Sequence, residues 1–187
     1  MDNNTAVSEV QRVSSQRGDL RLLRRVNHLD ASDANKRRIE WLWKQLQTQD
    51  YWFDDFTRGK PELFIATLFA PDTEHYEVGD DGYACVTQIR PECEAYVHFA
   101  VWNVQRDISL TLAAARELLD HLFATYQLNR ITATMPVFNQ KAIKFATLLG
   151  FKYEGDVRKV VRKNGVFYNL CVYGLLRDEY ASVMRRN

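Results

Sequence analysis

The stretch that decides the fold runs over residues 129–180: NRITATMPVFNQKAIKFATLLGFKYEGDVRKVVRKNGVFYNLCVYGLLRDEY. Residues 129–135 read as a strand, ended by Pro136, which has no N–H to give a ladder. Asn139 is a good cap for a helix running to Leu149, and Gly150 is the residue expected just past its end. Two runs of strand character follow, 152–163 and 166–175. They are joined by Asn164-Gly165, a pair that favours a two-residue hairpin turn because both central positions need positive φ. The local order is therefore strand, helix, hairpin.

Working outward, residues 110–126 carry Leu112, Ala115, Leu119, Leu122 and Phe123 on one face, the mark of an amphipathic helix. Before it come two strands, 82–90 and 93–102, split by Pro91. A strand–helix–strand unit thus sits mid-chain. Residues 71–82 hold two glycines and five acidic residues and read as a hairpin loop. Residues 62–70 are β-rich in composition. Residues 50–61 are turn-rich and aromatic, suiting a second short helix or a lid-like loop. Residues 33–49 place Ile39, Leu42, Trp43 and Leu46 at helical spacing behind Asp30 or Ser32 as cap, with Trp41 off the stripe, toward a neighbour or the substrate side. Residues 20–26 alternate as a strand. Residues 1–18 are a polar arm suited to docking on a partner or a second copy, and 19–187 form one domain.

The chain has 187 residues, 46% hydrophobic and 26% charged, with 25 basic and 24 acidic side chains for a net charge of +1. Such balance supplies no global field to draw it onto nucleic acid or an anionic membrane. No apolar run is long enough to span a bilayer, and the polar N-terminus is unlike a secretory leader. Cys85, Cys93 and Cys171 lack metal spacing and read as reduced thiols buried in strands, which points to the cytoplasm. His75 has no second ligand at metal spacing, so no metal site is expected.

Several segments resemble the GNAT superfamily of acetyl-CoA-dependent N-acetyltransferases, and most closely its RimJ/RimL branch. They are Asn129-Arg130-Ile131, Asn139-Gln140-Lys141-Ala142-Ile143, Gly150-Phe151-Lys152-Tyr153-Glu154-Gly155, Arg158, Lys163-Asn164-Gly165, and 173–180. The likeness covers roughly the last third. The middle third matches by pattern and the first third in element order alone. It implies an α/β fold: a central mixed, mostly antiparallel sheet of about seven strands, with helices on both faces. The sheet splays between its fourth and fifth strands, here 93–102 and 129–135. Acetyl-CoA, as co-substrate, lays its pantetheine arm in that gap, and the following loop and helix N-terminus hold the pyrophosphate.

The resemblance also assigns residues. Val101 lies where a backbone N–H meets the thioester oxygen. Arg106 takes the first position of the phosphate signature Q/R-x-x-G-x-G/A. Ser109 and Thr111 occupy its two glycine positions, and Asn139 helps hold the cofactor arm. Two departures stand out. Ser and Thr replace glycines where backbone must approach phosphate closely, beside an anionic Asp107. Ala146 occupies the place, seven residues after Asn139, where many members carry a tyrosine acid.

Acetyl transfer to an amine needs a base. The period of two along 93–102 puts Glu94, Tyr96, His98, Ala100 and Trp102 on one face. His98 and Glu94 are the catalytic candidates, and the plain alternatives are a hydrogen-bonded strand histidine and a solvated strand end. The basic residues Arg158, Lys159, Arg162 and Lys163 read first as a solvated hairpin edge, or as a contact to the CoA 3′-phosphate or to an acidic partner. The aromatic run Tyr51, Trp52, Phe53 and Phe56 either closes over a substrate or packs in a core or oligomer contact. Two functions are open. One is an N-acetyltransferase acting on a protein N-terminus or small-molecule amine by direct attack. The other is a non-catalytic subunit of the same fold, used in a larger assembly after losing acetyl-CoA binding.

Overall fold

Alternation, capping and turn chemistry build twelve elements in a computed structural model that describes residues 20–103 and 107–184. The strands are β1 (Leu23–Arg25), β2 (Glu74–Val78), β3 (Gly82–Arg90), β4 (Glu94–Val101), β5 (Arg130–Pro136), β6 (Lys152–Lys163) and β7 (Val166–Leu176). The helices are α1 (Asp33–Gln47), α2 (Pro61–Leu68), α3 (Ile108–Tyr126), α4 (Gln140–Leu148) and α5 (Arg177–Met184). The seven strands form one sheet in the order β1-β2-β3-β4-β5-β7-β6. All neighbours are antiparallel except β4 and β5, which run parallel. Parallel partners need a crossover, and α3 supplies it.

Helices cover both faces. Ala114, Ala115, Leu118, Leu119, Leu122 and Phe123 of α3 pack with Ala146 and Leu149 over Ala95, Ile131 and Ala133. On the other face, Leu42 and Leu46 of α1 and Phe64 and Leu68 of α2 cover Tyr83, Cys85 and Ala100. The caps stand as expected. Ser32 accepts from the Asn35 amide at 3.2 Å, and Asn139 Oδ1 accepts from the Ala142 amide at 3.2 Å. Asn164 and Gly165 both take positive φ, +50° and +79°, in the β6–β7 turn.

The structure corrects several expectations. Residues 62–70 are not a strand but mostly α2: Pro61 opens it, Glu62 sits in its first turn, and Phe64 and Leu68, one turn apart, are buried. The acidic segment 71–82 is not simply a loop. It contains β2, buried along its whole length, because its carboxylates find partners. Glu74 binds Arg25 at 2.6 Å and accepts from the hydroxyls of Tyr76 at 2.5 Å and Tyr126 at 2.6 Å. Glu77 binds Arg24 and, at 2.7 Å, Arg38. The C-terminal helix α5 had no counterpart in the sequence reading. Cys85 and Cys171 are buried free thiols, but Cys93 is exposed. The arm 1–18 lies outside the described residues. Among the described residues no helix is long and apolar enough to cross a membrane, and no group of three or more His, Cys, Asp or Glu side chains could hold a metal.

Candidate active site

The ladder between β4 and β5 is short. It runs from Glu94↔Arg130 to Val97↔Ala133 and stops, although β4 continues to Val101 and β5 to Pro136. Beyond that point β4 pairs only with β3, through Cys85↔His98 to Gly82↔Val101, and β5 only with β7. A gap therefore opens between His98–Val101 and Thr134–Pro136.

Backbone alternation decides which groups face the gap. Cys93 O accepts from Arg130 N on the β5 side, whereas Trp102 N donates to Asp81 O at 2.9 Å on the β3 side. Odd-numbered residues of β4 thus turn their N–H and C=O toward β5. In the open half these belong to Phe99 and Val101. On the opposite rim Thr134 and Pro136 face the gap. Pro136 has no N–H, and its carbonyl accepts from Asn139 N at 2.8 Å. The β4 rim consequently carries more unmet pairing capacity than the β5 rim, and buried backbone groups need partners.

Side chains wall the gap on both faces. On the α3–α4 face the rings of Phe99 and Phe145 lie 5.6 Å apart. On the α1–α2 face His98, the first β4 residue past the ladder, lies under Trp52, with ring centroids 6.4 Å apart. His98 Nε2 is 3.5 Å from Thr87 Oγ1, and burial holds its pKa below the ordinary histidine value. Trp102 stacks edge-on with Trp41 at 5.6 Å, so the off-stripe tryptophan of α1 faces this side. Glu94 stands at the closed end of the ladder, roughly 13 Å along the strand from His98. It pairs with Arg90 and, at 3.6 Å, with Arg130, which also binds Glu154 at 2.7 Å. The structure does not bring Glu94 and His98 together.

The phosphate end departs further from a glycine loop. Asp107 caps α3 with its own carboxylate, which accepts from the Ser109 amide at 2.8 Å; that bond holds its pKa below the usual carboxylate range. Thr111 is buried, its amide bonds Asp107 O at 3.2 Å, and its hydroxyl reaches the same carbonyl at 3.4 Å. Ser109 is exposed at the helix start. Arg106 lies outside the described residues.

Sequence reading left the role of the 50–56 segment open, and here it matters. The Val101 amide faces the hydroxyl of Tyr51. The segment is fastened by the β6–β7 turn: Asp55 accepts from the amides of Asn164 at 2.8 Å and Gly165 at 2.9 Å, and donates its own N–H to Arg162 O at 2.8 Å. Lys163, expected in solvent, is only 9% exposed and binds both the carbonyl and, at 2.9 Å, the carboxylate of Asp50. The one sequence signal for this contact was aspartates flanking an aromatic run.

Comparison with known proteins fits this geometry. Residues 73–172 match the family described as "Acetyltransferase (GNAT) domain". The prophage-derived N-acetyltransferase YokL of Bacillus subtilis is 22% identical over 162 residues, 87% of this chain and 82% of that protein. YdaF of the same organism, which carries the name of a ribosomal N-acetyltransferase, is 34% identical over 68 residues, 36% of this chain and 37% of YdaF. Among solved structures, a spermidine N-acetyltransferase from Vibrio cholerae, in complex with CoA and spermine, superposes with a TM-score of 0.65 at 18% identity, covering 85% of this chain and 96% of that one.

Proposed function

The chain belongs to the GNAT acetyltransferase family and is an acyltransferase, and on that premise we propose that it moves the acetyl group of acetyl-CoA to a primary amine by direct attack. The observation that carries this reading is the early end of the β4–β5 ladder. The N–H and C=O groups of Phe99 and the C=O of Val101, turned toward the gap past the end of the ladder, suit the amides of a pantetheine arm, which adds to a strand edge as a further strand would. Acetyl-CoA is the co-substrate, and the thioester it brings is the activated acyl group.

The residues divide the work as follows. His98 is the base. Burial keeps its imidazole neutral at physiological pH, and it sits at the mouth of the gap on the α1–α2 face. Glu94 holds Arg130 and the closed end of the ladder. Val101 and Asn139 bracket the arm, Asn139 with the side-chain N–H2 that its capping oxygen leaves over. Ser109 borders the phosphate end, Thr111 supports it from the core, and the family resemblance gives Arg106 the first phosphate position. The acceptor is a protein N-terminus or a small-molecule amine, in keeping with the name of YdaF and with the spermine held by the Vibrio enzyme. The exposed free thiol of Cys93 suits a reducing cytoplasm.

One observation favours the second reading, a binding subunit without catalysis. Asp107 already occupies the Ser109 N–H and sets negative charge where a pyrophosphate would lie. Calorimetry with acetyl-CoA separates the two. We expect binding heat and a raised melting temperature for the wild type. Asp107→Asn keeps the cap and removes the charge, so it binds several-fold tighter. Absence of both heat and thermal shift at millimolar acetyl-CoA, in both proteins, would overturn the enzyme reading.

A further inference from the structure

We propose that Lys163 is a positioning residue: its buried ammonium ties together the two rims of the gap, and through Asp50 it keeps Trp52 over His98. The proposal rests on the acetyl-transfer reading above, in which His98 is the base. It adds a residue outside the gap that decides where that base stands.

Three observations lead to Lys163. The first is enclosure. Lys163 ends β6 beside an exposed turn, where a lysine has water within reach, yet it is only 9% exposed. Burying an ammonium is costly unless it is paired. The pairing is with one residue from far along the chain, Asp50, at both its carbonyl and, at 2.9 Å, its carboxylate. The second is what Asp50 leads to. Two residues on, the ring of Trp52 packs on Tyr83 at 5.7 Å and on His98 at 6.4 Å, centre to centre. A shift at Asp50 therefore moves the ring that covers the base. The far end of the segment has its own clasp, since Asp55 accepts from the amides of Asn164 and Gly165. Lys163 governs the near end. The third is the opposite rim. The Lys163 ammonium lies 5.2 Å from the centre of the Phe138 ring, which packs edge-on against Tyr168 at 4.9 Å. Phe138 directly precedes Asn139, the cap of α4 on the cofactor side. One ammonium thus touches the segment that shields the base and the loop that borders the arm of acetyl-CoA.

The consequence for His98 follows from solvation. Burial is what lowers its pKa, and Trp52 supplies part of that cover. The other groups around it add no charge at neutral pH. Thr87 is a neutral hydroxyl, and burial pushes the Cys85 thiol opposite His98 up to about 12 and raises the Tyr83 phenol. With Trp52 released, water reaches the imidazole and its pKa rises toward the ordinary histidine value. A base moved from its place also loses rate.

Lys163→Met tests this, because it keeps the apolar stem and removes the ammonium while the Asp55 clasp remains. The His98 ring proton, identified by its loss in His98→Gln, is titrated by NMR in the ligand-free protein. Turnover is measured with spermidine and the tripeptide Ser-Ala-Ala, and acetyl-CoA binding by calorimetry. In Lys163→Met the His98 titration should move up, the acidic limb of kcat/KM should move up with it, and kcat should fall by about tenfold. Acetyl-CoA Kd should change by no more than a few-fold. Lys163→Arg keeps the charge and should restore most of the titration. Trp52→Leu should move the titration the same way, and adding it to Lys163→Met should change little more, because both act through one contact. A lower melting temperature with an unchanged His98 titration would overturn the proposal, and so would a loss confined to acetyl-CoA Kd or full additivity of the two variants. Failure of the wild type to bind acetyl-CoA is a separate result that removes the acetyl-transfer reading. The ligand-free titration still decides whether Lys163 holds Trp52 on His98.

Discussion

The imidazole of His75 is 2% exposed and bonded at both nitrogens, Nδ1 by the Tyr83 hydroxyl and Nε2 to the Thr67 carbonyl at 3.0 Å. Burial pulls its pKa from 6.5 down to about 4; His28 and Arg25 act in the same direction, while the Thr67 carbonyl and Glu74 oppose them. The folded state therefore binds its proton less readily than the unfolded chain. The stability tied to this residue is complete above the unfolded value and drains away as pH falls toward the folded one. The shift amounts to about 3 kcal/mol. Urea midpoints measured across this window should fall more steeply in the wild type than in His75→Gln, which has no group to titrate there. Parallel curves for the two proteins would show that the burial is not felt. His75 lay in a segment whose composition reads as loop, and so did Glu74 and Glu77. Their partners, among them Arg25, Arg38 and Tyr126, come from other elements, and no local pattern announces that a carboxylate will be buried and paired.

At the scale of elements, α2 shows the same limit differently. Leu, Phe, Ile and Thr in 62–70 favour a strand by composition. The helix forms because Pro61 starts it and because Phe64 and Leu68, one turn apart, enter the cluster with Leu42, Leu46 and Tyr83. Tertiary packing outweighs weak propensity. Leu68 is 1% exposed, so Leu68→Ala should cost about 2–5 kcal/mol in denaturant unfolding. A loss far below that range would mean that α2 is not held by its buried face. The elements with local punctuation read true. α4 has its Asn139 cap, β5 its Pro136 stop, and the β6–β7 hairpin its Asn164-Gly165 turn.

For the whole molecule, the decisive feature is where one ladder stops. Acetyl-CoA entering the gap should slow amide hydrogen exchange at Phe99 and Thr134. The Trp102 amide, already bonded to Asp81, should change little. Protection confined to the start of α3, with none on β4, would place the ligand outside the gap.

By itself the amino-acid sequence determined the order of most elements, the sheet's strand–helix–strand centre, the hairpin that follows and the face of β4 that carries His98. Caps, turns and side-chain alternation act over a few residues, and their chemistry is written locally. Only the tertiary structure decided that Asp107 closes its own helix end, that Glu94 belongs to the ion pairs at the shut end of the ladder, and that Lys163 leaves solvent to fasten the segment bearing Tyr51. Each of these depends on groups that meet only when distant strands and loops close together, and burial then sets what their charges and protons can do.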